Sequence, residues 1–197
     1  MNRIQKITQN THNRFLNYFT LDAVTKSGKK KEYYMASRAE QTDRLKMNTG
    51  KNTPDGVTIY ALYGEKRDQV ILVRQYRYPM GEVVLELPAG KLEKGEDPSD
   101  SGLRELAEET GLEPKTYIPM GVSFSSPGIM TEKIYYFFAT DLVQGPVHPD
   151  DGEFLDVVRL PLEELEELAK QGEIKDAKTL IGLFKAKMLM RERESRK

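Results

Sequence analysis

The stretch PAGKLEKGEDPSDSGLRELAEETGL, residues 88–112, carries five carboxylates between Asp97 and Glu109, three of them crowded into Glu105, Glu108 and Glu109. It opens on a proline-led turn and then takes on helical character. Asp97 or the Pro98 that follows starts the helix, Leu103 and Leu106 supply apolar interior positions, and Gly111 stands where a left-handed C-terminal cap is expected. That makes one helix of about four turns. Residues three and four apart share a helical face, so Glu105, Glu108 and Glu109 project together, with Arg104 placed to pair with Glu108. Like charges at this spacing destabilise a helix by roughly 0.2–0.5 kcal/mol per pair and raise carboxylate pKa values unless a cation neutralises them. A hard divalent ion would do so. Magnesium takes carboxylate and carbonyl oxygens, keeps waters and bridges to phosphates, which suits a site without Cys or His.

Outward from this helix, GVTIYALYG (56–64) and QVILVRQYR (69–77) flank the charged turn EKRD, and VVLELPAG follows as a third strand stopped by Pro88. On the other side, YIPMGVSFSS, KIYYFFATDL and EFLDVVRLP read as further strands. Two helices come last, one opening at Pro161 and one from about Asp176 to Glu192 with Leu180, Leu183, Phe184 and Leu189 at helical spacing. Toward the N-terminus, residues 14–25 and 29–38 form a hairpin around KSGK, and a polar stretch ending in Pro-Asp-Gly places the start of the main domain near Asp55. The expected architecture is an α/β layered domain, residues 55–197, preceded by a β extension, residues 1–54.

Composition narrows the chemistry. A chain of 197 residues supports one sizeable domain with an extension. The formal net charge of -1 gives no basic field to attract nucleic acid or an anionic membrane. There is no cysteine, which removes thiol nucleophiles, disulfides and cysteine-ligated zinc, and the two histidines, His12 and His148, are far apart in sequence. The polar N-terminus has no apolar signal region, and no run approaches the ~18 apolar residues of a membrane span. The reading is a cytoplasmic protein.

A lone acidic cluster on a helix is more often a solvated face than a site, since glutamate is a good helix former. The wider spacing overturns that. From Gly90 the chain reads G-x5-E-x7-R-E-L-x-E-E-x-G-L, with Gly90, Glu96, Arg104, Glu105, Leu106, Glu108, Glu109, Gly111 and Leu112 in place. This matches the complete signature of the Nudix hydrolases, which the chain therefore resembles. The resemblance implies a strand-loop-helix motif in an α/β/α sandwich and hydrolysis of a nucleoside diphosphate linked to another group. It also implies two or three Mg2+ ions, with Mn2+ as a substitute, held by Glu105 and Glu109 with Glu108 beside them and by the backbone carbonyl of Ala89. Gly90 lets the backbone turn toward the ions. Arg104 and Glu96 hold loop and helix in register, although Arg104 and Glu108 stand close enough to the chemistry to count as catalytic candidates.

Within the family, VRQYRYPMGEVVLELPAGKLEKGE, the Ser126–Gly128 segment SPG with TEK behind it, and DGEFLDVVRLP look like the ADP-ribose pyrophosphatase branch. That resemblance implies cleavage of ADP-ribose to AMP and ribose 5-phosphate. It assigns Arg77 to the diphosphate, fits Pro127 to a proline that follows the motif in this branch, places Gly128 and Glu132 at the substrate, and gives the general base to Glu153, with Asp150 and Asp151 as competitors. In relatives the N-terminal hairpin crosses to a second subunit and its aromatics sandwich the adenine. Phe15 and Tyr33 stand at corresponding places with Arg38 following, so a homodimer is expected. The alternatives are another substrate, GDP-mannose or a UDP-sugar, or a Nudix domain that senses a nucleotide without cutting it.

Overall fold

Alternation along three buried strands decides the architecture. The computed structural model describes residues 3–50, 53–145 and 155–196, and the chain forms two units, Met1–Asp55 with Ser123–Lys133 and Gly56–Val122 with Ile134–Lys197. In the second unit, β4 (Gly56–Tyr63), β5 (Gln69–Arg77) and β9 (Lys133–Gln144) are so apolar that both sheet faces are buried. Val57, Ile59, Ala61, Ile71, Phe137 and Ala139 point to one face. Tyr60, Leu62, Val70, Leu72 and Phe138 point to the other. The first face is covered by Leu106 of α2 (Pro98–Thr110), the second by Leu165 of α3 (Leu162–Gln171) and by Leu183 and Ala186 of α4 (Ala177–Glu194). The result is the expected α/β/α sandwich.

The sheet is mixed. Its order is β10-β5-β4-β9-β8, with β8 at Leu112–Phe124 and β10 at Leu155–Pro161; β4 and β9 run parallel, and β4 and β5 antiparallel. β4 and β5 stay paired only at their joined ends, Leu62↔Val70 and Tyr63↔Gln69. Beyond that they splay. β6 (Glu82–Glu86) pairs with the free edge of β5 and β7 (Ala89–Lys91) with that of β4, so Leu87 and Pro88 bridge the gap. The strand expected to stop at Pro88 is β6, and β7 beyond the proline is a further strand on a different partner. Pro88 causes the break, since it has no N–H to give a ladder.

The first unit is a three-stranded antiparallel sheet, β1 (Ile4–Gln9), β2 (Asn17–Val24) and β3 (Lys30–Ser37), followed by a 3-10 turn at Thr42–Arg44 and the short α1 (Lys46–Thr49). The hairpin expected from sequence is β2–β3; β1 is an addition to it. In IQKITQ only Ile4 and Ile7 are apolar, and they add to the small core of Phe19, Leu21, Met35 and Leu45. No described helix is long and apolar enough to cross a membrane.

Candidate active site

The acidic face of α2 is set by what the helix buries on its other side. Asp97 caps the N-terminus by accepting from Ser99 N at 2.8 Å, Pro98 opens the first turn, and Gly111 closes the helix at φ 68° with its N–H on Ala107 O. Leu106 and Ser101 are fully buried. Gly102 lets the helix approach closely, because a Cβ there would lie 1.9 Å from the Tyr117 hydroxyl, and the Tyr117 ring stacks on Phe137 at 4.6 Å. With that face locked inward, Glu105 and Glu109 face the β6–β7 turn, and Glu108 is linked to Glu105 by Arg104.

That turn lies directly against them. Ala89 N donates to Glu109 Oε2 at 3.0 Å. A Cβ on Gly90 would fall 1.8 Å from the carboxyl carbon of Glu105, so only glycine allows backbone and carboxylate to share this space. Arg104 binds the rest together. Its Nε and Nη2 donate to the two oxygens of Glu96 at 2.9 and 3.1 Å, its Nη1 to Glu105 at 3.0 Å and Glu108 at 2.8 Å, and its Nη2 to Lys91 O at 3.2 Å. The Arg104 hydrogen bonds hold Glu96 down to about pKa 2, against burial that pushes it up, and the Arg104 guanidinium is in turn raised above its usual range. The structure therefore brings Ala89, Arg104, Glu105, Glu108 and Glu109 together.

Among the described residues no group of three or more His, Cys, Asp or Glu side chains is already gathered as a metal cage. Arg104 is shared by two of the glutamates, Glu105 and Glu108. The donor set still fits a hard divalent ion: it consists of carboxylates and backbone carbonyls, with neither sulfur nor imidazole.

Arg77, at the end of β5, donates from Nε and Nη2 to Glu86 at 2.7 and 2.6 Å. This hydrogen bonding raises it, burial opposes, and the charge of Glu109 is among those that favour its protonated form. Glu86 is 2% exposed. Burial alone would push its carboxyl up, but Arg77 and Lys178 together hold it below the usual range. Lys178, which also lies 2.9 Å from Asp176, Asp176 itself and Thr179 belong to a network that the sequence reading did not single out. A charged residue between Leu85 and Leu87 in an apolar strand was the available signal for it.

In the first unit, Tyr33 Oη donates to Gly128 O at 2.5 Å. Arg38 donates from Nε and Nη2 to Glu132 Oε1 at 3.2 and 2.9 Å, and Ser125 Oγ donates to Glu132 Oε2. Phe15 is 59% exposed, with the Arg14 guanidinium 5.3 Å above its ring. Glu153, Asp150 and Asp151 lie outside the described residues.

A model of the NUDIX domain matches residues 52–181, more than half of the chain. The chain belongs to the Nudix family. It is a pyrophosphohydrolase of that family, whose members work with divalent metal ions. This Nudix chain is 38% identical over 132 residues to the ADP-ribose pyrophosphatase of Bacillus subtilis (strain 168), covering 66% of this chain and 70% of that protein. It is 36% identical over 153 residues to the Methanol dehydrogenase activator of Bacillus methanolicus, covering 73% and 81%. A crystal structure of an ADP compounds hydrolase shares the Nudix fold at a TM-score of 0.79 and 20% identity, over 96% of this chain and 94% of that one.

Proposed function

We propose that the chain hydrolyses the pyrophosphate bond of ADP-ribose, giving AMP and ribose 5-phosphate, with Mg2+ held by Glu105, Glu108, Glu109 and the carbonyl of Ala89. The observation that carries this reading is the approach of Glu105 and Glu109 to the Ala89–Gly90 backbone, with Glu108 tied to Glu105 through Arg104, within a complete Nudix motif. When bound, two or three such ions would screen the diphosphate charge and lower the pKa of the attacking water. The protein's own share is positioning. Arg104 keeps Glu105 and Glu108 aimed at one place, and its hold on Glu96 ties the loop to the helix.

Arg77 is the candidate for the diphosphate, supported by its partial exposure and by the influence of Glu109 on its charge. Glu153 is assigned as the base that removes the proton of the attacking water. The exposed rings of Phe15 and Tyr33, with Arg38, Gly128 and Glu132 beside Tyr33, are assigned to the adenosine end, the sheet of the first unit crossing to a second subunit in a homodimer. The absence of cysteine fits a reducing cytoplasm.

A panel of ADP-ribose, GDP-mannose and UDP-glucose with Mg2+ tests the reading. ADP-ribose should turn over fastest, with AMP as a product. Faster cleavage of another sugar nucleotide would move the assignment of substrate, and cleavage of none would reject the reading. Sedimentation should give a dimer; a fully active monomer would remove the crossed sheet.

A further inference from the structure

The β6–β7 turn is held in place from the far end of the chain. Its first residue, Leu87, is fully buried, so its N–H needs a partner, and that partner is no strand but the hydroxyl of Thr179 on α4, at 2.9 Å. The direction of this bond is fixed by a third group. Thr179 Oγ1 donates its one hydrogen to Asp176 Oδ2 at 2.7 Å, and the same oxygen accepts the Thr179 N–H at 2.9 Å as the helix N-cap. Asp176 only accepts, so the Thr179 oxygen keeps its lone pair turned toward Leu87. Thr179 is itself fully buried. One residue before Leu87, Glu86 is clamped by Arg77 and by Lys178, and Lys178 also pairs with Asp176. One residue after it, Pro88 O accepts from Ile59 N at 2.9 Å and Thr58 Oγ1 at 3.2 Å. The helix comes this near because residue 182 is glycine: a Cβ there would lie 2.5 Å from Leu87 Cδ1.

We infer that Thr179, oriented by Asp176, is a positioning residue for the Ala89–Gly90 backbone and so for divalent-ion binding and turnover. The inference rests on the proposed metal-dependent hydrolysis but concerns a helix outside the Nudix motif. Groups that orient metal ligands typically contribute roughly 10- to 100-fold to affinity or activity.

Thr179→Val keeps the shape and removes the hydroxyl; Thr179→Ser restores it. Thr179→Val should raise the Mn2+ dissociation constant, measured by electron paramagnetic resonance, and lower kcat on ADP-ribose, each by about tenfold or more, with KM nearly unchanged. Thr179→Ser should return both toward wild type. Independently of any activity, amide hydrogen exchange at Leu87 and Ala89 should accelerate in Thr179→Val and not in Thr179→Ser, while the α2 amides stay protected in both. Unchanged exchange at Leu87 and Ala89, or an equal acceleration throughout the second unit, would overturn the positioning role. A wild-type protein that cleaves no sugar nucleotide would reject the hydrolase reading instead and leave the exchange result to stand or fall by itself.

Discussion

Around Arg104 one guanidinium is shared by three carboxylates, Glu96, Glu105 and Glu108, whereas around Glu86 one carboxylate is shared by two cations, Arg77 and Lys178. The first cluster is partly open, with the Glu108 side chain 30% exposed; the second centres on a carboxylate that is 2% exposed. The difference follows from desolvation. A buried charge must be paired within the fold, so Glu86 has two partners, and Asp176 answers the second cation. A site open to solvent tolerates a surplus, and the surplus of negative charge on α2 is what a cation from outside would neutralise. In the one the buried carboxylate is matched within the fold, and in the other the carboxylates outnumber the guanidinium that joins them.

Substitutions can break this contrast. Glu109→Gln removes a charge beside the open cluster, on the same helix, and should reduce turnover by about 10^2- to 10^4-fold, the usual share of a positioned catalytic group, while the unfolding midpoint hardly moves; near-normal turnover would mean that the ion assignment is wrong. Glu86→Ala leaves two cations without their carboxylate and should cost about 3 kcal/mol in urea unfolding. A loss no larger than that of an ordinary surface substitution would show that the closed cluster is not a structural one.

The acid limb tests the open cluster next. Glu96 ordinarily titrates near 4.5 and is held to about 2, first by Arg104. Its contribution to stability is therefore complete above about pH 4.5 and is lost as pH falls toward 2. Thermal melts across that window should show a shallower acid loss for Glu96→Gln than for wild type, and matching slopes would contradict the assignment. The smallest effect is expected at Phe184, 65% exposed on α4. Phe184→Ser should change stability by no more than about 0.5 kcal/mol, and a larger loss would place a partner surface there.

The α2 helix was readable because its cues are local. The Asp97 cap, the Gly111 stop and the three-and-four spacing of the glutamates lie within one short stretch and need no distant partner. The core strands were equally plain from their Val, Ile, Leu and Tyr content. α4 was read less well. Its apolar and charged residues are scattered around the helix, so the spacing of Leu180, Leu183, Phe184 and Leu189 did not select a face; the structure buries Thr179, Gly182, Leu183 and Ala186 and leaves Leu180 and Phe184 exposed. Small residues chose the face, because Gly182 and Ala186 allow close approach. β1 stayed hidden since it has two apolar residues among six, and pairing with β2 forms it. The Glu86 network was out of reach for another reason: Lys178 and Thr179 find their partners across more than ninety residues of chain.

That separation sets an order of assembly during synthesis. At roughly 5–20 residues per second a ribosome that has just made Leu87 needs several more seconds to deliver Thr179. Until then the buried amide lacks its native acceptor, and the turn beside the glutamates has the Thr58 and Ile59 contacts of Pro88 without the support of α4. The emerging chain holds its signature motif long before it can use it, so competence for hydrolysis waits for a helix made some ninety residues after the turn that it supports.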